Sequence, residues 1–155
     1  MKISLVAVGK VKENYFREGI AEYAKRLSRY ADFTITEIKE ENFSKEGEAE
    51  RRLAKKREGE RILAACKGYV VCLTPEGGKF SSEGFSRKME EIKNAAGEIT
   101  FVIGGSYGVD EAVKRRADLL LSFSDMTFPH TLMRLIFTEQ LYRAFTIAEG
   151  TGYHK

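Results

Sequence analysis

The 155-residue sequence is poor in the residues that hold metals and disulfides, with two cysteines and two histidines, and it has no tryptophan. Cys66 and Cys72 are six positions apart, which matches neither a CxxC pair nor a zinc spacing, so we expect two buried, reduced thiols. His130 and His154 have no cysteine near them, whereas a zinc-dependent base deaminase needs a His/Cys/Cys site beside a glutamate. The sequence therefore predicts chemistry without a metal.

Long apolar runs are also missing at the start of the chain. Residues 3–8 form an apolar segment of six residues flanked by lysines, which is too short for a signal sequence or a membrane span. We therefore expect a cytoplasmic protein with no membrane partner. The net charge of +3 is low for a dedicated DNA-binding domain but is compatible with a basic face that meets RNA.

Apolar periodicity and turn residues predict an alternation of strands and helices along a single domain, residues 1–155. The predicted strands are 3–8, 33–38, 69–73, 99–103 and 119–123. The predicted helices are 14–30, 46–66, 81–97, 110–116 and 130–149, with Ser81 and Asp110 as N-caps and Gly150 as a stop. This pattern predicts an α/β fold: a mostly parallel sheet of five or six strands with helices on both faces.

Three consecutive strand ends carry glycine, serine or threonine, at 73–78, 104–108 and 123–127. Ligands of parallel sheets bind at the carboxyl ends of strands, so these segments are the predicted pocket, with 74–78 as a turn.

The GGSYG turn at 104–108 fails the dinucleotide pattern GxGxxG, and no GxxxxGK[ST] phosphate loop exists. The GKVK segment at 9–12 lacks the acidic cluster of a receiver domain. By elimination, methyl transfer from S-adenosylmethionine fits, because the protein need only align donor and acceptor and help deprotonate the acceptor.

The last predicted helix is apolar around almost its whole circumference. Such a helix must be covered on every side, either by a second copy of the chain in a two-fold dimer or by its own chain, and the dimer is preferred because a final helix normally lies outside. Its polar exceptions are Arg134, Glu139, Gln140 and Arg143. Glu139 and Arg143 are spaced i,i+4, which favours a structural ion pair. We interpret His130 as a capping or packing residue. We interpret the charged residues of 46–66 as the solvated face of a helix rather than as an RNA-binding stripe.

Four motifs in order carry a resemblance: FVIGGSYG at 101–108, LSFSDMTFPH at 121–130, EQLYRA at 139–144 and GYH at 152–154. Together with LVAVG at 5–9 and the chain length, they resemble the RlmH family, also called YbeA. These are the ribosomal RNA large subunit methyltransferases H of the SPOUT superfamily. The resemblance covers the whole chain.

The resemblance implies a deep trefoil knot within about residues 70–155, an exception to the rule that chains do not knot. It also implies a homodimer that uses S-adenosylmethionine to methylate N3 of pseudouridine 1915, in helix 69 of 23S rRNA. Since RNA is recognised largely by shape, we expect the assembled ribosome to be the substrate. The alternatives are a SPOUT enzyme acting on transfer RNA and a non-catalytic module that binds a nucleotide or the ribosome.

The same resemblance implies site residues. Those for the donor are Leu73, Gly104, Gly105, Phe123, Ser124, Asp125, Met126, Thr127 and Phe128. Those for catalysis are Arg143, Tyr153 and His154. That His154 helps to remove the N3 proton is our hypothesis, since it is one of only two histidines.

Overall fold

Strands and helices alternate along residues 1–45 and 47–155, the part of the chain that the computed structural model describes. The strands are β1 (Lys2–Val8), β2 (Asp32–Ile38), β3 (Tyr69–Lys79), β4 (Glu98–Ile103) and β5 (Leu119–Ser122). The helices are α1 (Asn14–Leu27), α2 (Glu48–Ala65), α3 (Ser82–Ala95), α4 (Glu111–Arg116) and α5 (His130–Glu149). The predicted alternation is confirmed. The predicted start of the second helix, Glu46, lies outside the described residues.

The five strands form one sheet in the order β2-β1-β4-β3-β5, and each neighbouring pair is parallel. The predicted α/β class is therefore confirmed, at the lower of the two strand numbers. Because parallel strands share a direction, the carboxyl ends of β3, β4 and β5 open onto the same edge of the sheet.

Helices cover both faces of this sheet, as predicted. On one face, α1, α3 and α5 bury a cluster that includes Leu5, Phe101 and Phe137, with the last two rings 4.7 Å apart. On the other face, α2 and α4 cover a smaller cluster around Val6 and Val102. Side chains of a strand alternate between faces, so β1 supplies both clusters.

The prediction that residues 74–78 are a turn after β3 is wrong. The strand bulges after Leu73 and pairs with β5 again at Gly78, so that Leu121 is the register partner of both residues. At Gly77 an added Cβ would lie 2.5 Å from the backbone nitrogen of Leu121. A glycine is required there because two backbones meet, and this contact is long-range, so no local pattern reports it.

The ends of several elements also differ from prediction. β5 ends at Ser122 rather than at Phe123, because the Ser122 hydroxyl donates to the Ser124 carbonyl across 3.1 Å and turns the chain. The Ser81 cap of α3 is confirmed: its hydroxyl accepts from Gly84 N–H at 3.0 Å. Asp110 precedes α4 but makes no capping hydrogen bond through its side chain.

Helix α1 ends at Leu27, three residues before the predicted end, and Gly150 ends α5 with a φ of 66°. Both cysteines are free, as expected, but only Cys72 is fully buried, so the prediction of burial is wrong for Cys66. Burial raises the pKa of Cys72 to about 12. Within the described residues, every helix is too short or too polar to cross a bilayer.

Candidate functional site

A cavity lies at the edge of the sheet where the chain leaves β3, β4 and β5. It measures about 670 Å³ and is lined by residues 73–76, 103–109 and most of 121–130, with further contributions from α2, α4 and α5. The three strand ends singled out from the sequence are thus brought together. A pocket of this size lies within the range of about 300–1,000 Å³ that small-molecule sites occupy.

Eight of the nine predicted donor residues line this cavity: Leu73, Gly104, Gly105, Phe123, Ser124, Met126, Thr127 and Phe128. The ninth, Asp125, is not part of the lining, and its carboxylate instead pairs with Lys79 at 2.5 Å. Met126 is 75% exposed, at the rim. A Cβ added to Gly104 would lie 2.7 Å from Cγ2 of Val109, so the absence of a side chain there keeps the turn tight and the backbone accessible.

The loop after β5 is held in place from inside. The Ser124 hydroxyl accepts from the Met126 backbone N–H at 3.0 Å. The Phe123 ring packs edge-on against Phe85 of α3, with centroids 6.3 Å apart, and lies 6.4 Å from Phe137 of α5. One wall of the cavity is therefore an aromatic ring anchored in the core.

A lysine provides positive charge at the cavity wall. The ammonium of Lys114 donates to Glu76 at 2.8 Å and to Glu111 at 3.2 Å. Burial lowers the pKa of Lys114, but the two hydrogen-bonded carboxylates outweigh it and the net pKa is raised. The hydrogen bond from Lys114 likewise lowers the pKa of Glu76.

Sequence reasoning missed several residues of the lining, among them Lys55, Lys114 and His130. His130 lies three residues after the third strand-end segment and begins α5, so the rule that selected 123–127 would have included it if extended by three residues. Lys55 is one of many charges in α2 and carries no distinguishing signal. Its position is a consequence of how α2 packs on the sheet.

The predicted catalytic residues Arg143, Tyr153 and His154 form one cluster around Glu139. The Arg143 guanidinium donates to Oε1 of Glu139 at 2.6 and 3.1 Å, which confirms the predicted i,i+4 pair. The Tyr153 hydroxyl donates to the same oxygen at 2.9 Å. Arg143 Nη1 lies 3.0 Å from Nδ1 of His154, and Nε2 of that ring lies 2.8 Å from Oε1 of Glu83.

These contacts shift the pKa values of three side chains. Burial, with hydrogen bonds to Tyr23 and Glu139, raises the pKa of Tyr153. The hydrogen bond to Glu139 raises the pKa of Arg143, and the hydrogen bond to His154 lowers that of Glu83.

The structure does not bring this cluster into the large cavity of the same chain. Among the residues described, none of Arg143, Tyr153 and His154 belongs to the cavity lining. The donor residues and the catalytic residues implied by the resemblance are thus two separate groups within one chain.

Arg134 is another polar residue of the mostly apolar helix α5, and it lies outside the cluster around Glu139. Its side chain is 3% exposed and donates to Glu37 at 2.7 Å and to the Gly9 carbonyl at 3.1 Å. It therefore ties α5 to the carboxyl ends of β1 and β2.

Within the described part of the chain, no group of three or more His, Cys, Asp or Glu residues is placed to hold a metal ion.

Comparison with known proteins places these features in a family. The family model described as "Predicted SPOUT methyltransferase" matches residues 1–154. Proteins named "Ribosomal RNA large subunit methyltransferase H" match over the full length of both chains, with 49% identity for Leuconostoc mesenteroides and 46% for Streptococcus suis. A solved structure titled as a probable methylase family protein from Haemophilus influenzae Rd KW20 has the same fold. It aligns with a TM-score of 0.55 at 12% identity, covering 99% of this chain and 70% of its own. The chain therefore belongs to the ribosomal RNA large subunit methyltransferase H family of the SPOUT methyltransferases.

Proposed function

We propose that this protein transfers a methyl group from S-adenosylmethionine to N3 of pseudouridine 1915, in helix 69 of 23S rRNA, on the assembled ribosome. The names of the full-length relatives support an rRNA substrate in the large subunit. The observation that carries the proposal is that the loops after β3, β4 and β5 together form a cavity of about 670 Å³.

The residues of that cavity suit a donor with an apolar body and a few polar groups. Leu73, Phe123 and Phe128 provide apolar walls, while the glycines at 104 and 105 leave backbone groups accessible. The donor supplies a methyl group already activated on a sulfonium, so no metal or nucleophilic cysteine is required. The protein's task is then to hold the donor in place and to position the acceptor for in-line attack.

The cluster of Arg143, Tyr153 and His154 is the proposed catalytic group. N3 of the acceptor must lose its proton to attack the methyl group, and a histidine is suited to accept a proton near neutral pH. A guanidinium beside the acceptor would stabilise the negative charge that deprotonation leaves on the base. Arg143 and His154 would divide these two tasks, with the Tyr153 hydroxyl holding Glu139 beneath them.

We further propose a homodimer. The cavity lining and the catalytic cluster are separate within one chain, and a two-fold dimer would bring the tail of one protomer to the cavity of its partner. Several apolar side chains of α5, among them Leu132 and Ile147, are only half-buried in the single chain. A partner packed against α5 would cover them. Residues 1–155 would be one domain in the cytoplasm, where ribosomes are.

The proposal includes a trefoil knot within about residues 70–155. Its support is the membership of the chain in the SPOUT family, since the close approach of Gly77 to Leu121 belongs to the pairing of β3 with β5.

Methyl incorporation into intact ribosomes, separated large subunits and naked 23S rRNA tests the function. We expect incorporation into intact ribosomes, at a single site that primer extension maps to the pseudouridine in helix 69. Incorporation only into transfer RNA would support a different SPOUT enzyme. Absence of S-adenosylmethionine binding by calorimetry would instead support a non-catalytic module.

A further inference from the structure

A second, smaller cavity lies against the large one and shares four wall residues with it: Leu121, Ser122, Phe123 and Phe128. It measures about 270 Å³, which is below the range of about 300–1,000 Å³ typical of whole small-molecule sites. Its other wall residues are Phe80, Ser81, Ser82, Phe85, Ile136 and Gln140. The space therefore suits a fragment of a ligand that extends outside, such as one base of a polynucleotide.

The mouth of the small cavity carries an exposed aromatic ring. Phe80 is 40% exposed, although it precedes the N-cap of α3, where an apolar residue normally packs against the helix. Aromatic rings at such positions are platforms on which unpaired bases stack. Phe123 and Phe128 continue the aromatic surface into the large cavity.

The side-chain amide of Gln140 is held in one orientation in this cavity. Its Nε2 donates to Oε2 of Glu139 at 2.9 Å, and its Oε1 accepts from the Ser82 hydroxyl at 2.9 Å. Because a carboxylate can only accept, Glu139 fixes which end of the amide is the donor. An amide has two N–H groups and two lone pairs on its oxygen. After these two bonds, one N–H and one lone pair are left for a ligand.

Gln140 is also connected to the catalytic cluster. Glu139, which holds Nε2 of Gln140, accepts from Arg143, and Arg143 contacts His154. His154 in turn contacts Glu83, the residue next to Ser82 at the start of α3. These hydrogen bonds form a chain from Ser82 to Glu83 through α5 and the C-terminal tail, and the backbone between those two residues closes it into a ring.

We propose that the small cavity is the subsite for the acceptor base, with Phe80 stacking on the ring and Gln140 as the residue that recognises pseudouridine. The inference rests on the proposed function. Pseudouridine carries an N1–H next to its C2 carbonyl, a donor and an acceptor that match the free lone pair and N–H of Gln140. Pairing along that edge leaves N3 free to react. In uridine N1 carries the sugar, so the donor is missing.

The test uses Gln140→Met, which keeps the length of the side chain and removes its amide, and two Phe80 variants. Steady-state kinetics would be measured on ribosomes bearing either pseudouridine or uridine at the target position. Donor affinity would be followed by calorimetry and association by sedimentation velocity. For Gln140→Met we expect kcat/KM on pseudouridine ribosomes to fall roughly tenfold, with the preference over uridine lost. Phe80→Leu should lower kcat/KM about tenfold, while Phe80→Tyr, which keeps the ring, should stay near wild type.

Donor affinity and sedimentation should be unchanged in all three variants. Weaker donor binding in Gln140→Met or Phe80→Leu would make the small cavity part of the donor site and overturn the proposal. Loss of association would make it a contact with a second copy, and would overturn it equally. Unchanged preference for pseudouridine in Gln140→Met would also overturn it. Failure of the proposed function is distinguishable, because wild-type protein would then methylate neither kind of ribosome.

Discussion

Arg143 and His154 face each other across 3.0 Å, from Nη1 of the guanidinium to Nδ1 of the imidazole. A guanidinium can only donate, so Nδ1 must accept, and the ring proton lies on Nε2, which points at Glu83 at 2.8 Å. The contact thus assigns the tautomer of His154. Both ring nitrogens already have partners within the chain, so accepting a proton from a base requires His154 to release Arg143 or exchange it for the substrate.

Replacing His154 by glutamine separates the structural part of this arrangement from the chemical part. A glutamine amide can accept from Arg143 and donate to Glu83, but it cannot take up a proton at neutral pH. We expect His154→Gln to keep its thermal stability and its affinity for S-adenosylmethionine while kcat falls by about 10²–10⁴. His154→Ala should lose activity as well, and methylation at the wild-type rate at saturating substrate in either variant would refute the base hypothesis.

Tyr153 should ionise at a higher pH than an ordinary tyrosine. Burial and the hydrogen bonds to Tyr23 and Glu139 raise its pKa above the ordinary value. Its folded pKa lies above the unfolded one, so its contribution to stability is complete below about pH 10. That contribution is lost as the pH rises toward the folded pKa. Ultraviolet titration of tyrosinate should show a late step that is absent from Tyr153→Phe and shifted to lower pH in Glu139→Gln.

A matched pair of glycine variants tests the tight turn after β4. In Gly104→Ala the new Cβ would lie 2.7 Å from Cγ2 of Val109 and 2.9 Å from the Gly108 carbonyl oxygen. We expect a lower melting temperature and at least tenfold weaker donor binding, since the turn must open. In Gly97→Ala nothing lies within 4 Å of the added Cβ, and stability and affinity should stay near wild type. Equal behaviour of the two variants would show that the turn tolerates a side chain.

Local patterns predicted the elements well because their causes are local. The apolar run 99–103 and the Ser81 cap depend on neighbours in sequence. The bulge in β3 could not be predicted, since it depends on Leu121 pairing twice with a strand more than forty residues earlier. The position of Lys55 in the cavity wall and the ring from Ser82 through His154 likewise arise from packing between distant helices. The resemblance to the family implied which residues form the site. No pattern in the sequence indicated that the donor residues and the catalytic residues lie apart within one chain.

The two cysteines should differ in reactivity toward a thiol reagent. Burial raises the pKa of both thiols, to about 12 for Cys72. Cys72 is fully buried, whereas Cys66 at the end of α2 is partly exposed. Since thiolate fraction and access control the rate, we expect one slow phase from Cys66 in the native protein and a much slower one from Cys72. In denaturant both should react at one rate, and Cys66→Ser should remove the faster native phase.

The structural role of Arg134, which links α5 to the ends of β1 and β2, can be separated from any role in catalysis by comparing variants of two arginines, Arg134 and Arg26. In Arg134→Met, Glu37 loses its partner and the buried Gly9 carbonyl loses a donor, so the free energy of unfolding should fall by about 2–4 kcal/mol. Arg26 is the control, because its pair with Glu22 at 3.0 Å is exposed on α1, and exposed pairs of this kind contribute little. Chemical denaturation should therefore separate Arg134→Met clearly from Arg26→Met. Arg134 lies outside the lining of both cavities. The affinity of Arg134→Met for the donor should therefore be unchanged at a temperature where the variant is folded. A selective loss of that affinity would contradict a purely structural role.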